Sequence, residues 1–168
     1  MPITMYQATV PAFVQMLSSL AAILAKAEAF AAERKVDPAV LLDYRLAPDM
    51  FPLIRQVRIA ADFAKGCCAR LAGGEVPSYA DDETSFADLR ARIARTVTFV
   101  QGFRPEDIDG SEEREIAITV GGQPMRFNGQ AYLVSFVLPN FYFHATAAYA
   151  ILRHCGLAIG KRDFLGAA

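Results

Sequence analysis

With 168 residues, the chain is long enough for one domain that buries about two-thirds of the surface its unfolded form exposes. Hydrophobic residues make up 54 % of it, above the usual ~45–50 %, which points to several helices sharing one core or to an apolar surface kept for a partner. A net charge of −1 gives no electrostatic footprint for nucleic acid or for an anionic membrane, and neither is expected as a partner.

The opening MPITMYQATV has no basic segment followed by a continuous apolar core, so no signal peptide is expected and the chain reads as soluble and cytoplasmic. Thr4 and Gln7 stand at capping-box spacing, and Tyr6, Val10, Phe13, Leu17, Leu20, Leu24 and Ala27 form an apolar stripe. This predicts a first helix over 4–34, kinked at Pro11; the alternative is that Pro11 marks the true start, with Thr9 as cap. Asp37-Pro38 reads as cap and first residue of a short helix to about Asp43, inside a connector over 36–51. That connector is longer than the ~2–8 residues that join neighbours in an up-and-down bundle, so a crossover or a lid is expected.

A second helix is predicted over 52–71, stopped by Gly73-Gly74. Leu53, Gln56 or Val57, Ala60, Phe63, Cys67 and Leu71 share its apolar face, while Arg55, Arg58, Asp62 and Lys65 read as a solvated face. A loop over 75–83 leads to a third helix with Ser85 and Asp88 at capping-box spacing and Phe86, Leu89, Ile93, Val97 and Val100 as its core stripe. Arg90, Arg92 and Arg95 fall on its other faces and read as solubilising. The period then changes to two: Ile116, Ile118 and Val120, the turn Gly121-Gly122, then Met125 and Phe127, a β-hairpin. Asn128 caps a fourth helix and Gly156 ends it. The tail LAIGKRDFLGAA is expected to lie on the bundle through Leu157, Ile159, Phe164 and Leu165.

Cys67, Cys68 and Cys155 admit no pairing that uses all three and lack metal-binding CxxC spacing, so they are read as reduced thiols, at least two of them in the core. His154, beside Arg153 in the last turn of the fourth helix, suits a structural role at the helix dipole.

The most informative stretch is Gln130–Cys155, which holds both histidines. Leu133, Val137, Asn140, His144, Ala147 and Ile151 fall on one helical stripe. Asn140 and His144 are thus polar groups on an apolar face, one turn apart, just after Pro139. A proline here clashes with the carbonyl of Ser135 and disturbs the helix at this pair. Three readings stand side by side: a buried hydrogen-bonded pair, specificity contacts in a small-molecule pocket, and a metal site.

Four long helices, a long first connection and a hairpin before the last helix resemble the DinB-like (YfiT-like) bundles. The segments ITMYQATVPAFVQML, RLAPDMFPLIRQV, LPNFYFHATAAYAILRH and GKRDF resemble one uncharacterised bacterial family of domains of unknown function within that superfamily, over essentially the whole chain. The fold this implies is all-α: one DinB-like four-helix bundle over 1–168, with a long first crossover and a β-hairpin inserted before the last helix. In the superfamily three histidines hold a divalent metal, one early in the second helix and two one turn apart in the fourth. Carried over by position, those places fall on Gln56, Asn140 and His144. The resemblance therefore implies a degenerate metal site, in which His144 is the one candidate ligand. No cofactor is expected, with Zn²⁺ or Ni²⁺ at His144 as the alternative.

Three functions follow from this reading. The first is a small-molecule-binding protein whose pocket is lined by His144, Asn140, Gln56 and Tyr6. The second is a metal-dependent enzyme of the thiol transferase or hydrolase type. The third is an interaction or structural module without catalysis, a homodimer.

Overall fold

Pro11 decides where the first long helix begins. In the computed structural model, which describes residues 2–166, α1 spans Val10–Arg34 with Pro11 in its first turn. There the missing N–H costs nothing. The predicted capping box does form, Thr4 N–H reaching Gln7 Oε1 at 3.1 Å and Gln7 N–H reaching Thr4 Oγ1 at 3.2 Å. It closes a separate turn before α1, so in place of the expected kinked helix from Thr4 there is a turn followed by a helix that begins at Val10. Thr9 occupies the cap position, but its hydroxyl donates back to the Met5 carbonyl at 2.9 Å.

Asp37 caps α2 (Pro38–Leu42) by accepting from Ala39 N–H at 3.0 Å. α3 (Leu53–Leu71) stops before Gly73, whose φ of 74° is open to glycine at little cost. Ser85 Oγ accepts from Asp88 N–H at 3.0 Å to start α4 (Phe86–Gln101), and a short α5 (Pro105–Ile108) follows. β1 (Glu115–Val120) and β2 (Gln123–Asn128) pair antiparallel with Ile116 opposite Phe127 and Ile118 opposite Met125. Both turn glycines have positive φ, 56° and 80°, as the tight hairpin turn demands.

Asn128 Oδ1 caps α6 (Gly129–Ala131), which runs through a π-helical segment, Tyr132–Val137, into α7 (Leu138–His154). The π segment ends directly before Leu138-Pro139. A wider turn here accommodates a residue that has no N–H to give and whose ring crowds the carbonyl four residues back. α8 (Lys161–Leu165) closes the described chain; the final two residues of the tail and Met1 lie outside the described residues.

α1 packs on α4, α4 on α3, α3 on α7, and α7 back on α1. α1 and α3 therefore stand diagonally, and the long connector between them is a crossover. The core lies inside this ring, with Phe13 edge-on to Phe141 at 4.8 Å and Tyr132, Phe86, Leu17 and Leu24 fully buried. Burying each such side chain contributes about 1.5–3 kcal/mol. Cys67 and Cys68 are buried and Cys155 half-buried, all unpaired. Leu157 and Ile159 are buried and Phe164 packs on Tyr149 at 5.7 Å, whereas Leu165 is exposed. By length and composition, α1 is the one helix among the described residues able to cross a membrane, and half of its most apolar window is buried in the bundle.

Two expectations for charged residues fail. Lys65 and Arg92, read as solvated, are 4 % and 5 % exposed. Arg92 reaches across to Asp62 of α3 at 2.9 and 3.1 Å and to Glu83 Oε1 and the Ala80 carbonyl of the 75–83 loop at 2.8 and 3.0 Å. Arg58 Nε holds the other Glu83 oxygen at 2.6 Å. Lys65 pairs with Asp62 at 3.0 Å and lies over the Tyr79 ring at 3.8 Å, which Arg95 also meets at 3.8 Å. The loop folds back over these side chains and takes them out of water.

Candidate functional site

The four pocket residues read from the sequence occupy three places. Gln56, in the first turn of α3, donates from Nε2 to the Phe51 carbonyl at 3.1 Å. That fixes its amide orientation and presents Oε1 to His144 Nδ1, 2.7 Å away. Oε1 can only accept, so His144 carries its proton on Nδ1 and keeps a lone pair on Nε2. Both residues are buried, and they line a small cavity of about 180 Å³ with Asp49, Met50, Phe51 and Phe143.

Asn140 does not join them. Its Nδ2 donates to the Phe136 carbonyl at 2.7 Å, at the end of the π segment, and it lines a different cavity. Tyr6 lies in the opening turn, half-buried against the core, with its backbone N–H on Asp109 Oδ1 at 2.7 Å; it lines neither cavity. The spacing of 140 and 144 made them look like a pair; the partner of His144 comes instead from α3.

Phe63 separates the two places. Its ring stacks on His144 at 6.0 Å and meets Phe136 edge-on at 5.7 Å. Phe136 continues to Phe127 of β2 at 5.3 Å and to Tyr132 at 6.0 Å. On the Asn140 side Phe63, Phe136 and Tyr132 wall a cleft of about 290 Å³ between α3, β1 and the π segment. Its remaining walls are Ile59, Ile118 and Val120, and its polar residues are Asn140, Asp62, Arg70, Thr119 and Tyr132. Arg70 Nη1 donates to the Tyr132 hydroxyl at 3.0 Å.

The helical pattern reads Phe63 as an apolar-face residue and gives Arg70, Tyr132 and Phe136 no role. One signal did mark the place: Gly66 in the middle of an otherwise regular helix, four residues before Arg70. A larger cavity, about 680 Å³, lies elsewhere, between α1 and α8. Three of its polar contacts are internal: Gln15 bonds the Leu165 carbonyl, Ser19 bonds the Gln15 carbonyl, and Lys26 pairs with Asp163; Ser18 and Arg162 also line it.

The donors at the superfamily's metal position do not fit Zn²⁺ or Ni²⁺. One imidazole nitrogen is available, the Gln56 carbonyl is spent on the same ring, and Asn140 faces another cavity. Such ions favour three or four converging imidazole, thiolate or carboxylate groups. The thiols do not help, because burial pushes Cys67 well up and Cys68 to about 12, far from the thiolate form.

Burial also holds the His144 imidazole below the ordinary histidine range. The unfolded chain therefore takes up this proton before the folded one does, and stability falls as pH drops below about 6.5, by at most about 1.4 kcal/mol per pH unit for one group. Urea midpoints at about pH 7 and pH 5 should differ less in His144→Gln than in the wild type. Equal pH dependence in both would refute the buried neutral imidazole.

Comparison with known proteins agrees with this architecture. The family model for a domain of unknown function, DUF1993, matches residues 5–165. A crystal structure of a DinB family member protein from Shewanella denitrificans is 46 % identical, over 97 % of this chain and 92 % of that one, with a TM-score of 0.88. No protein with a curated description matches. With the family's pattern running through all but the ends of the chain, the protein belongs to the DUF1993 family and is a DinB-like helical bundle.

Proposed function

We propose that this protein binds a small molecule, without a metal, in the cleft between α3, β1 and the π segment. The observation that carries the reading is the make-up of that cleft: aromatic and aliphatic walls from Phe63, Phe136, Ile118 and Val120, with a few polar groups converging at Asn140, Arg70 and Tyr132. Binding sites for small molecules have this composition, apolar surface for affinity and a few polar groups for orientation. The π segment supports it further, since such interruptions cluster at functional sites and this one supplies two of the walls.

A thermal-shift screen with chemically diverse fragments tests the reading. A ligand at one hundred times its Kd adds about 2.7 kcal/mol, a rise of roughly 5–10 °C for a chain of this size. Ile118→Asp and Asn140→Leu should abolish the rise for the fragments that give it. If both variants respond like the wild type, the cleft is not the site.

A homodimeric module is the second reading, favoured by the apolar side chains that α7 and the π segment leave in water, Phe143 at 56 % and Val134 at 55 % exposure. Sedimentation equilibrium of the wild type and of Phe143→Glu decides it: a dimer dissociated by the charge supports the reading, and a monomer in both overturns it.

A further inference from the structure

Resting on the cleft being the binding site, we infer that its ligand is a small organic acid whose carboxylate is held by Arg70 and Tyr132 and whose apolar body packs against Phe63 and Phe136.

Arg70 is the reason. Its guanidinium has one side-chain partner, the Tyr132 hydroxyl at 3.0 Å, and among the described residues no carboxylate pairs with it. Asp62, the one acid lining the cleft, is already bonded by Lys65 and by both Arg92 contacts. A half-buried cation among apolar walls that no carboxylate bonds is the complement of an anion. The Tyr132 oxygen accepts from Arg70, which leaves the hydroxyl proton for a second acceptor atom. Burial raises that phenol above its ordinary range, so it stays a donor at neutral pH.

The helix itself is shaped for this arrangement. A Cβ on Gly66 would stand 2.5 Å from Arg70 Nη1, closer than side chains approach. Glycine is the poorest helix former after proline, and in the middle of α3 it lets the guanidinium lie back along the helix to reach Tyr132. Arg70 also lines the neighbouring cavity with Lys65, Pro77 and Tyr79, so the cation stands where the two spaces meet. The planar fork of an arginine matches a carboxylate with two parallel bonds. A cleft of about 290 Å³, at a share of ~30 Å³ per water-sized group, holds roughly ten non-hydrogen atoms of a ligand.

Matched pairs of probes test the inference: benzoate against benzamide, and hexanoate against hexanamide, each titrated into ¹⁵N-labelled protein. The acids should give saturable shifts at Ile118, Tyr132, Phe136 and Asn140, and the neutral amides should bind about tenfold or more weakly. Arg70→Gln should erase the preference for the acid. Gly66→Ala should do the same by displacing the guanidinium, while the far-UV dichroism and melting temperature show the helix intact. Acid and amide binding equally, or acid binding unchanged in both variants, would overturn the carboxylate assignment and leave the cleft as a site for neutral ligands. No saturable shift from any of the four probes at these residues would also overturn it. The cleft itself falls only if the broad fragment screen fails there too.

Discussion

Replacing Arg92 with alanine is expected to lower the stability of the bundle by about 3 kcal/mol, a fall in melting temperature of roughly 6–12 °C. Arg92 projects from α4 into a space closed by α3 and the 75–83 loop, where it meets Asp62, Glu83 and the Ala80 carbonyl at once. Truncation leaves Glu83, 8 % exposed in its side chain, with one arginine instead of two, and frees the loop from α4. The cost is mostly that of a buried charge left short of partners. Arg92→Lys should recover only part of it, because an ammonium cannot span Asp62 and Glu83 as a planar fork does. The contact also predicts an acid sensitivity. Burial pushes the Glu83 carboxyl upward, but the hydrogen bonds from Arg92, its own backbone and Arg58 outweigh this and hold it below its ordinary range. Its contribution is then present above the unfolded pKa and lost as pH falls through the folded one. A loss below about 1 kcal/mol in Arg92→Ala would mean that the arginine is the solvated residue its sequence position suggests.

Gly129→Ala is expected to destabilise by about 2–3 kcal/mol, although alanine is the better helix former by about 1 kcal/mol. A Cβ at this position would stand 2.0 Å from the Ser111 carbonyl oxygen and 3.3 Å from Leu71 Cδ2. The obstacle is backbone, which cannot swing aside as a long side chain does. Gln130 N–H also bonds the Glu112 carbonyl at 2.9 Å, so both ends of the hairpin are pinned at one point on the helix start. Moving Ser111 moves β1, and with it the Ile118 and Val120 wall of the cleft. The variant should therefore lose ligand response along with stability. Gly160→Ala is the control: nothing stands within 4 Å of its Cβ, and its change should stay within the roughly 1 kcal/mol that a poorer cap residue of α8 costs. Equal melting temperatures for the two variants would refute this close approach.

Features that are decided within a few residues were legible in the sequence. Asp37-Pro38 capped its helix, Gly121-Gly122 made its hairpin, and Ser85 and Asn128 started theirs, because each rests on local hydrogen bonds or backbone freedom. The crossover was legible from its length, and the DinB-like bundle from motifs along the whole chain. What escaped was decided by side chains reaching between elements. A helical stripe places Arg92 and Lys65 outside the core, yet both are long enough to meet a loop that folds over them. Asn140 and His144 looked coupled by spacing, but a π segment before them and Gln56 opposite gave each a different partner. Arg70 carried no pattern that singled it out; Gly66 and Tyr132, four residues before it in the helix and 62 residues later in the chain, turn it inward.

The most direct test of binding in this cleft is crystallographic. Crystals soaked with the fragments that raise the melting temperature should show density between Phe63, Ile118, Phe136 and Asn140, with a polar atom at Arg70 or Tyr132. Density only in the larger space between α1 and α8, or beside His144 and Gln56 with the cleft empty, would contradict it.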